Sequence, residues 1–164
     1  MKKPNTLPQE VVDLLMPRLS DEFNASYLYR SISNWCQTNG YKIASAYFAK
    51  ESADELTHAA KLEKFLVDWN VSFDLPKIPS PEYEFASLVE VIEKAYGIEY
   101  KLYEDYEDTS LKLFKMDLCA FDLLQFFRDV QVKSVAEYSD MLNILEGVEP
   151  TKMNLLLLEE TLFA

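Results

Sequence analysis

At 164 residues and 19.0 kDa, with 49% hydrophobic and 13% aromatic residues, the chain suits one globular domain, residues 1–164, with a sizeable core. A formal charge of −12 argues against nucleic acid and anionic membrane surfaces as partners and favours cations. With only 3 glycines and apolar residues recurring every three or four positions, the pattern argues against a sheet and for an all-α chain.

In chain order, Met1 to Leu7 reads as a short polar tail, and Pro8 suits the first turn of a helix that runs to about Thr38 and closes at Asn39-Gly40. Its inward line is Val11, Leu15, Arg18 or Leu19, Glu22, Ser26, Tyr29 and Cys36, so a carboxylate interrupts an apolar face. Pro17 costs the helix one backbone hydrogen bond and about 3 kcal/mol, which predicts a kink near Asp13 to Pro17. A second helix is predicted from about Tyr41 to Asn70. Val71 to Pro81, stiffened by Pro76, Pro79 and Pro81, is too long for a tight turn and reads as a crossover along a bundle. A third helix is expected from Pro81 or Glu82 to Phe114, with Ile92, Tyr96, Glu99, Tyr103 and Tyr106 on one line. After a break near Lys115 to Leu118, a fourth runs to about Glu146 with Leu124, Phe127, Gln131, Val135, Tyr138, Leu142 and Leu145 inward. Gly147 ends it. Pro150 opens a last segment, Met153 to Phe163, too apolar to lie free in water, which implies a subunit contact. The expected fold is an all-α, antiparallel four-helix bundle over residues 7–146, with a long crossover between helices 2 and 3 and a short fifth C-terminal helix within 150–163.

The second helix carries Glu51-Ser-Ala-Asp54-Glu55-Leu-Thr-His58, which includes the only histidine of the chain. Residues three and four apart on a helix are neighbours, so Glu51, Glu55 and His58 continue the column of Leu62, Phe65, Leu66 and Trp69 that should face the core. Burying ionised carboxylates without partners costs several kcal/mol each, so Arg, Lys or a metal must meet them. Any one of Glu22, Glu51 or Glu99 alone is ordinarily a border residue or half of an ion pair. Their coincidence is a different matter: Glu22, Glu55 with His58, Glu99 and Gln131 fall near the middle of four helices, and Arg18 is the only plausible inward Arg. Carboxylates with one imidazole suit iron or manganese, and the missing thiolates argue against structural zinc. A carboxylate bridging two ions, here Glu55, would let them share a two-electron reaction with one oxygen molecule, which favours a dinuclear iron site.

Glu22 followed by Tyr29, Glu55-x-x-His58, Glu99 and Gln131 together resemble, in order and spacing, the ferroxidase centre of ferritins over nearly the whole chain. The run from Glu51 to His58 is locally similar to the haem-containing bacterioferritins, but Leu56 stands where their haem-ligating Met would be, and Gln131 and Ser134 replace a second Glu-x-x-His. The resemblance is therefore to the non-haem bacterial type and implies no haem. It implies an iron-storage ferroxidase that binds Fe(II), oxidises it with oxygen or hydrogen peroxide and deposits ferric mineral in a shell of 24 subunits, a cytoplasmic homo-oligomer. Glu22, bridging Glu55 and His58 would hold the first iron, and Glu99 the second with Gln131 in support. Tyr29 would hydrogen-bond within the site and supply an electron. Glu51 and Asp54 would lead iron onward, with Glu51 alternatively an extra ligand, and Lys133 and Ser134 replace the acids of a third iron position. A di-iron oxidase or peroxidase that stores nothing is a second reading, and a helical interaction protein a third. Cys36 and Cys119, far apart with no signal peptide or membrane-length run, are expected to be free thiols in a reducing cytoplasm. Asp117 and Asp122 are candidates for an iron channel.

Overall fold

Five helices and no strand occur in residues 6–164, the part of the chain described by the computed structural model: α1 (Gln9–Thr38), α2 (Lys42–Asp68), α3 (Leu88–Phe114), α4 (Leu118–Glu146) and α5 (Lys152–Phe163). Of the expected polar tail, residues 1–5 lie outside the described part, whereas Leu7 is buried. α1 runs through Pro17 without interruption.

Two pairs of serines set α2 against α1. Ser26 and Ser52 exchange hydroxyl-to-carbonyl hydrogen bonds, both 2.8 Å, and Ser33 and Ser45 do the same at 2.8 and 2.9 Å. Small side chains let the helices approach, and each hydroxyl satisfies itself on the neighbouring backbone, so no polar group is stranded. Because 26 meets 52 and 33 meets 45, α2 is antiparallel to α1, and the register fixes Glu22 and Glu55 at one height. Contacts between Tyr29 and Glu99 and between Glu22 and Tyr106 make α3 antiparallel to α1 as well. α2 and α3 therefore run parallel, and the chain must return the full length of the bundle between them.

That return is longer than the sequence suggests, because α3 begins at Leu88 and not at Pro81 or Glu82. Ser87 is the cap: its hydroxyl accepts from the Glu90 backbone N–H at 3.2 Å, while the Glu90 carboxylate reaches back to the Ala86 N–H. A Ser-x-x-Glu box outcompetes a proline several residues upstream as the start signal, since it satisfies the free N–H groups of the first turn. The connection is pinned to α1 on the way, with Ser31 Oγ donating to the Glu82 carbonyl at 2.6 Å and Phe85 edge-on to Trp35 at 5.7 Å.

α5 lies against α2, with Phe163 on Phe48, and buries Leu155, Leu162 and Phe163. Tyr41 gives α2 no side-chain cap, and buried Glu159 supplies one from α5: its Oε2 accepts from the Ile43 and Ala44 N–H groups, both at 2.9 Å. A carboxylate on a helix N-terminus stabilises by about 1 kcal/mol. The apolar segment is thus anchored within its own chain on one face, while Met153, Leu156 and Leu157 remain exposed on the other. Asp117 has a comparable structural role, capping α4 by accepting from Ala120 N–H at 2.8 Å. Cys36 is buried, Cys119 exposed, and both are free. Among the described residues no helix is long and apolar enough to cross a membrane.

Candidate metal centre

Midway along the bundle the apolar core is interrupted by one polar level. Glu22, Glu55, Glu99 and Gln131, one from each long helix, are all at most 4% exposed. Glu22, Glu55 and His58 bring a ligand atom each to within 4.8 Å of one another. His58 Nδ1 sits 3.1 Å from Glu55 Oε2 and 3.5 Å from Glu22 Oε2, and its ring is held edge-on against Phe126 and Phe127. Glu22 Oε1 accepts a hydrogen bond from the Tyr106 hydroxyl, whereas Oε2, equally buried, has no hydrogen-bond partner.

Glu99 is differently placed. Its Oε1 accepts from the Tyr29 hydroxyl and its Oε2 from the Gln131 amide at 2.8 Å, so both oxygens are engaged. Tyr29 and Tyr106 are fully buried. Each tyrosine lies seven residues after a glutamate, Glu22 to Tyr29 and Glu99 to Tyr106, and because α1 and α3 are antiparallel each reaches the glutamate of the opposite helix. Sequence spacing alone put both tyrosines inward but gave Tyr106 no role; the repeated Glu-x6-Tyr spacing was the available signal.

No Lys or Arg reaches this level among the described residues' ion pairs. Arg18, the one inward Arg expected, is spent on Asp21 at 2.8 Å, Asp105 at 3.7 Å and Thr109 Oγ1 at 3.1 Å. The charge of the carboxylates is answered instead by a proton. Burial opposes a charged imidazole, but the adjacent Glu22 and Glu55 carboxylates outweigh it and raise His58 from 6.5 to about 10. Burial, together with the neighbouring Glu22 carboxylate, pushes Glu55 up strongly. Glu22 goes the other way: burial would raise it, yet the adjacent Glu55 and His58 and the hydrogen bond from Tyr106 hold it below the usual value. Glu99 is raised from 4.5 to about 7 by burial, against the hydrogen bond from Tyr29. Three carboxylates and one imidazole thus share protons at this level, a donor set that could hold a multivalent cation.

A cavity of about 160 Å³ opens onto this level between α2 and α4, lined by Glu51, Asp54, Glu55, His58, Lys133, Ser134 and Glu137 among others. Glu51 is half-buried there and raised to about 7, by burial first and then by Glu137. Asp54 is tied to Lys50 at 2.5 Å on the rim. Neither belongs to the three-residue cluster; both flank its opening. Glu137, which the sequence left unremarked because it falls outside the inward line of α4, joins them and accepts from Tyr47 at 3.0 Å.

A family model described as a ferritin-like domain matches residues 12–148 of the chain. A bacterial non-heme ferritin of Campylobacter jejuni is 32% identical over 122 residues, 74% of this chain and 73% of its own length. A probable bacterial non-heme ferritin-like protein of Haemophilus influenzae is 29% identical over 157 residues, 95% of each chain. Among solved structures, an open pore ferritin from the hyperthermophilic archaeon Archaeoglobus fulgidus superimposes with a TM-score of 0.89 at 23% identity, over 94% of this chain and 95% of that one. That last likeness speaks for the fold.

Proposed function

The chain belongs to the ferritin family, of the non-haem bacterial type, and from that premise we propose that it is a cytoplasmic iron-storage ferroxidase with an intrasubunit di-iron centre. Iron here is substrate and cargo. The observation that carries the reading is the buried Glu22, Glu55 and His58 cluster, whose negative charge is met by no protein cation other than its own imidazole proton. Fe(II) takes the place of that proton. Glu22 Oε2, Glu55 and His58 Nδ1 hold the first ion, Glu55 bridges, and Glu99 with Gln131 beside it holds the second. Two Fe(II) each give one electron to oxygen, which leaves with two protons as hydrogen peroxide; where peroxide is the oxidant, the same two electrons and two protons yield two waters. Tyr29, hydrogen-bonded to Glu99, holds that carboxylate in place beside the second ion. Glu51 and Asp54 draw Fe(II) through the acidic mouth and pass ferric product outward.

Storage requires a shell, and the exposed Met153, Leu156 and Leu157 face of α5 is the surface we assign to contact between subunits, in an assembly of 24. The chain is read as binding no haem, since Leu56 cannot ligate iron and His58 is committed to the centre. Anaerobic titration should give two Fe(II) per chain, air should then oxidise them rapidly, and native mass should correspond to a 24-mer that accumulates far more iron than its sites hold. A small particle that turns iron over without retaining it would make the protein a di-iron oxidase. Failure to bind Fe(II) would leave a helical interaction protein.

A further inference from the structure

We infer that Tyr106 is a positioning residue for the first metal, holding Glu22 so that it offers one oxygen and not two; the inference rests on the reading of Glu22, Glu55 and His58 as that metal's site. Glu22 has one oxygen occupied and one free. The Tyr106 hydroxyl donates to Oε1, while Oε2 is buried, without a hydrogen-bond partner, and 3.5 Å from His58 Nδ1. A buried oxygen left unsatisfied is uncommon and marks the atom meant for a missing partner. A carboxylate free at both oxygens can close on an ion bidentately, a mode suited to large cations with high coordination numbers. With Oε1 held by a phenol, Glu22 binds end-on, and the positions that a second oxygen would take stay open for oxidant.

The phenol is built to hold that place. Its ring is fully buried and stacked on Phe127 at 4.9 Å and 12°, and the Arg18 guanidinium lies 5.9 Å from its centroid on another side. Phe127 also meets His58 edge-on at 6.1 Å, so one aromatic stack sets both the Glu22 hydrogen bond and the imidazole. Glu99 has no equivalent free oxygen, because Gln131 takes the one that Tyr29 leaves.

Co(II) added anaerobically to the assembled protein reports coordination number through the intensity of its visible bands, independently of iron oxidation. The wild type should show the intense bands of a low-coordinate site, and Tyr106→Phe, which keeps the ring and loses only the hydroxyl, should show bands weakened by at least half as Glu22 closes on the ion. Tyr106→Leu should give the same spectrum. In iron oxidation, Tyr106→Phe should lower kcat at least 5-fold while the KM for Fe(II) changes less than 3-fold. Superimposable Co(II) spectra of wild type and Tyr106→Phe would overturn the inference, as would a change seen in Tyr106→Leu alone, which would assign the effect to packing. His58→Ala separates this from failure of the site itself: Co(II) bands unaffected by that substitution would contradict the metal assignment and the inference with it.

Discussion

Glu22 and Glu99 face the same level of the bundle from neighbouring antiparallel helices, each held by the other helix's tyrosine, and yet they are in opposite states. Glu22 keeps a free buried oxygen beside Glu55 and His58, whereas Glu99 has both oxygens bound, one to Tyr29 and one to Gln131. The first half of the centre is a preformed pocket of three donors. In the proposed di-iron centre, a second ion would have to break a hydrogen bond of a charged group to take Glu99 Oε2, an exchange worth about 1.5–3 kcal/mol. The two halves thus differ in the imidazole that stands only beside Glu22 and in the amide that engages only Glu99, and filling should be sequential.

The largest effect should come from removing the preformed half. Glu55→Ala with His58→Ala should slow Fe(II) oxidation at least about 100-fold, on the scale of losing an essential electrostatic group, while circular dichroism shows an unchanged helical fold. Fold is spared because a buried charged cluster stabilises little when its metal is absent. Wild-type rates in that variant would remove the basis for comparing the halves at all.

Proton release should distinguish the halves next. A ligand that holds a proton in the metal-free protein must lose it to bind, so affinity rises with pH. His58, raised to about 10, and Glu55, raised strongly, are both protonated near neutrality, so the first Fe(II) should release between one and two protons between pH 6 and 7.5. That corresponds to a roughly 10- to 100-fold gain in affinity per pH unit. Glu99, at about 7, is already partly ionised, so the second ion should release less than one. Anaerobic calorimetry in buffers of different ionisation enthalpy measures both numbers, and equal release by the two ions would erase the difference.

Stability of the metal-free protein offers a smaller test. Because Glu99 is raised in the folded state from 4.5 to about 7, its contribution is fully present below about pH 4.5 and is lost as pH rises through 7. Glu99→Gln removes that loss and should stabilise the metal-free protein above pH 7 by about 2 kcal/mol, seen as a thermal midpoint a few degrees higher. A lower midpoint would mean that Glu99 is ionised and well paired without metal. The smallest expected effect is that of Gln131→Ala, which frees Glu99 Oε2 and should tighten the second Fe(II) by up to about 10-fold, narrowing the gap between the halves. A wider gap would identify the amide as a ligand.

Much of this centre can be read from the chain because helical periodicity projects directly onto space. Glu55 and His58 are neighbours by their spacing, and Glu22, Glu99 and Gln131 announce themselves as polar residues on apolar lines. What could not be read are the relations between helices. That Tyr106 serves Glu22, and Tyr29 serves Glu99, depends on the antiparallel register of α1 and α3, two helices separated in the chain by α2 and the long return. The same holds for Glu159, whose use as the cap of α2 joins residues 115 and 116 positions apart. The start of α3 at Leu88 was legible in Ser87-x-x-Glu90, but prolines upstream were the stronger local signal. Lys133 and Ser134 line the mouth of the centre beside Glu51 and Glu137.

Sequential filling is tested most directly by anomalous diffraction at the iron edge from crystals soaked anaerobically in limiting Fe(II). A strong peak should stand among Glu22, Glu55 and His58, with a weaker one beside Glu99 that grows as Fe(II) is raised, and none beside Ser134. Equal peaks at limiting iron, or a strong peak beside Ser134, would contradict it.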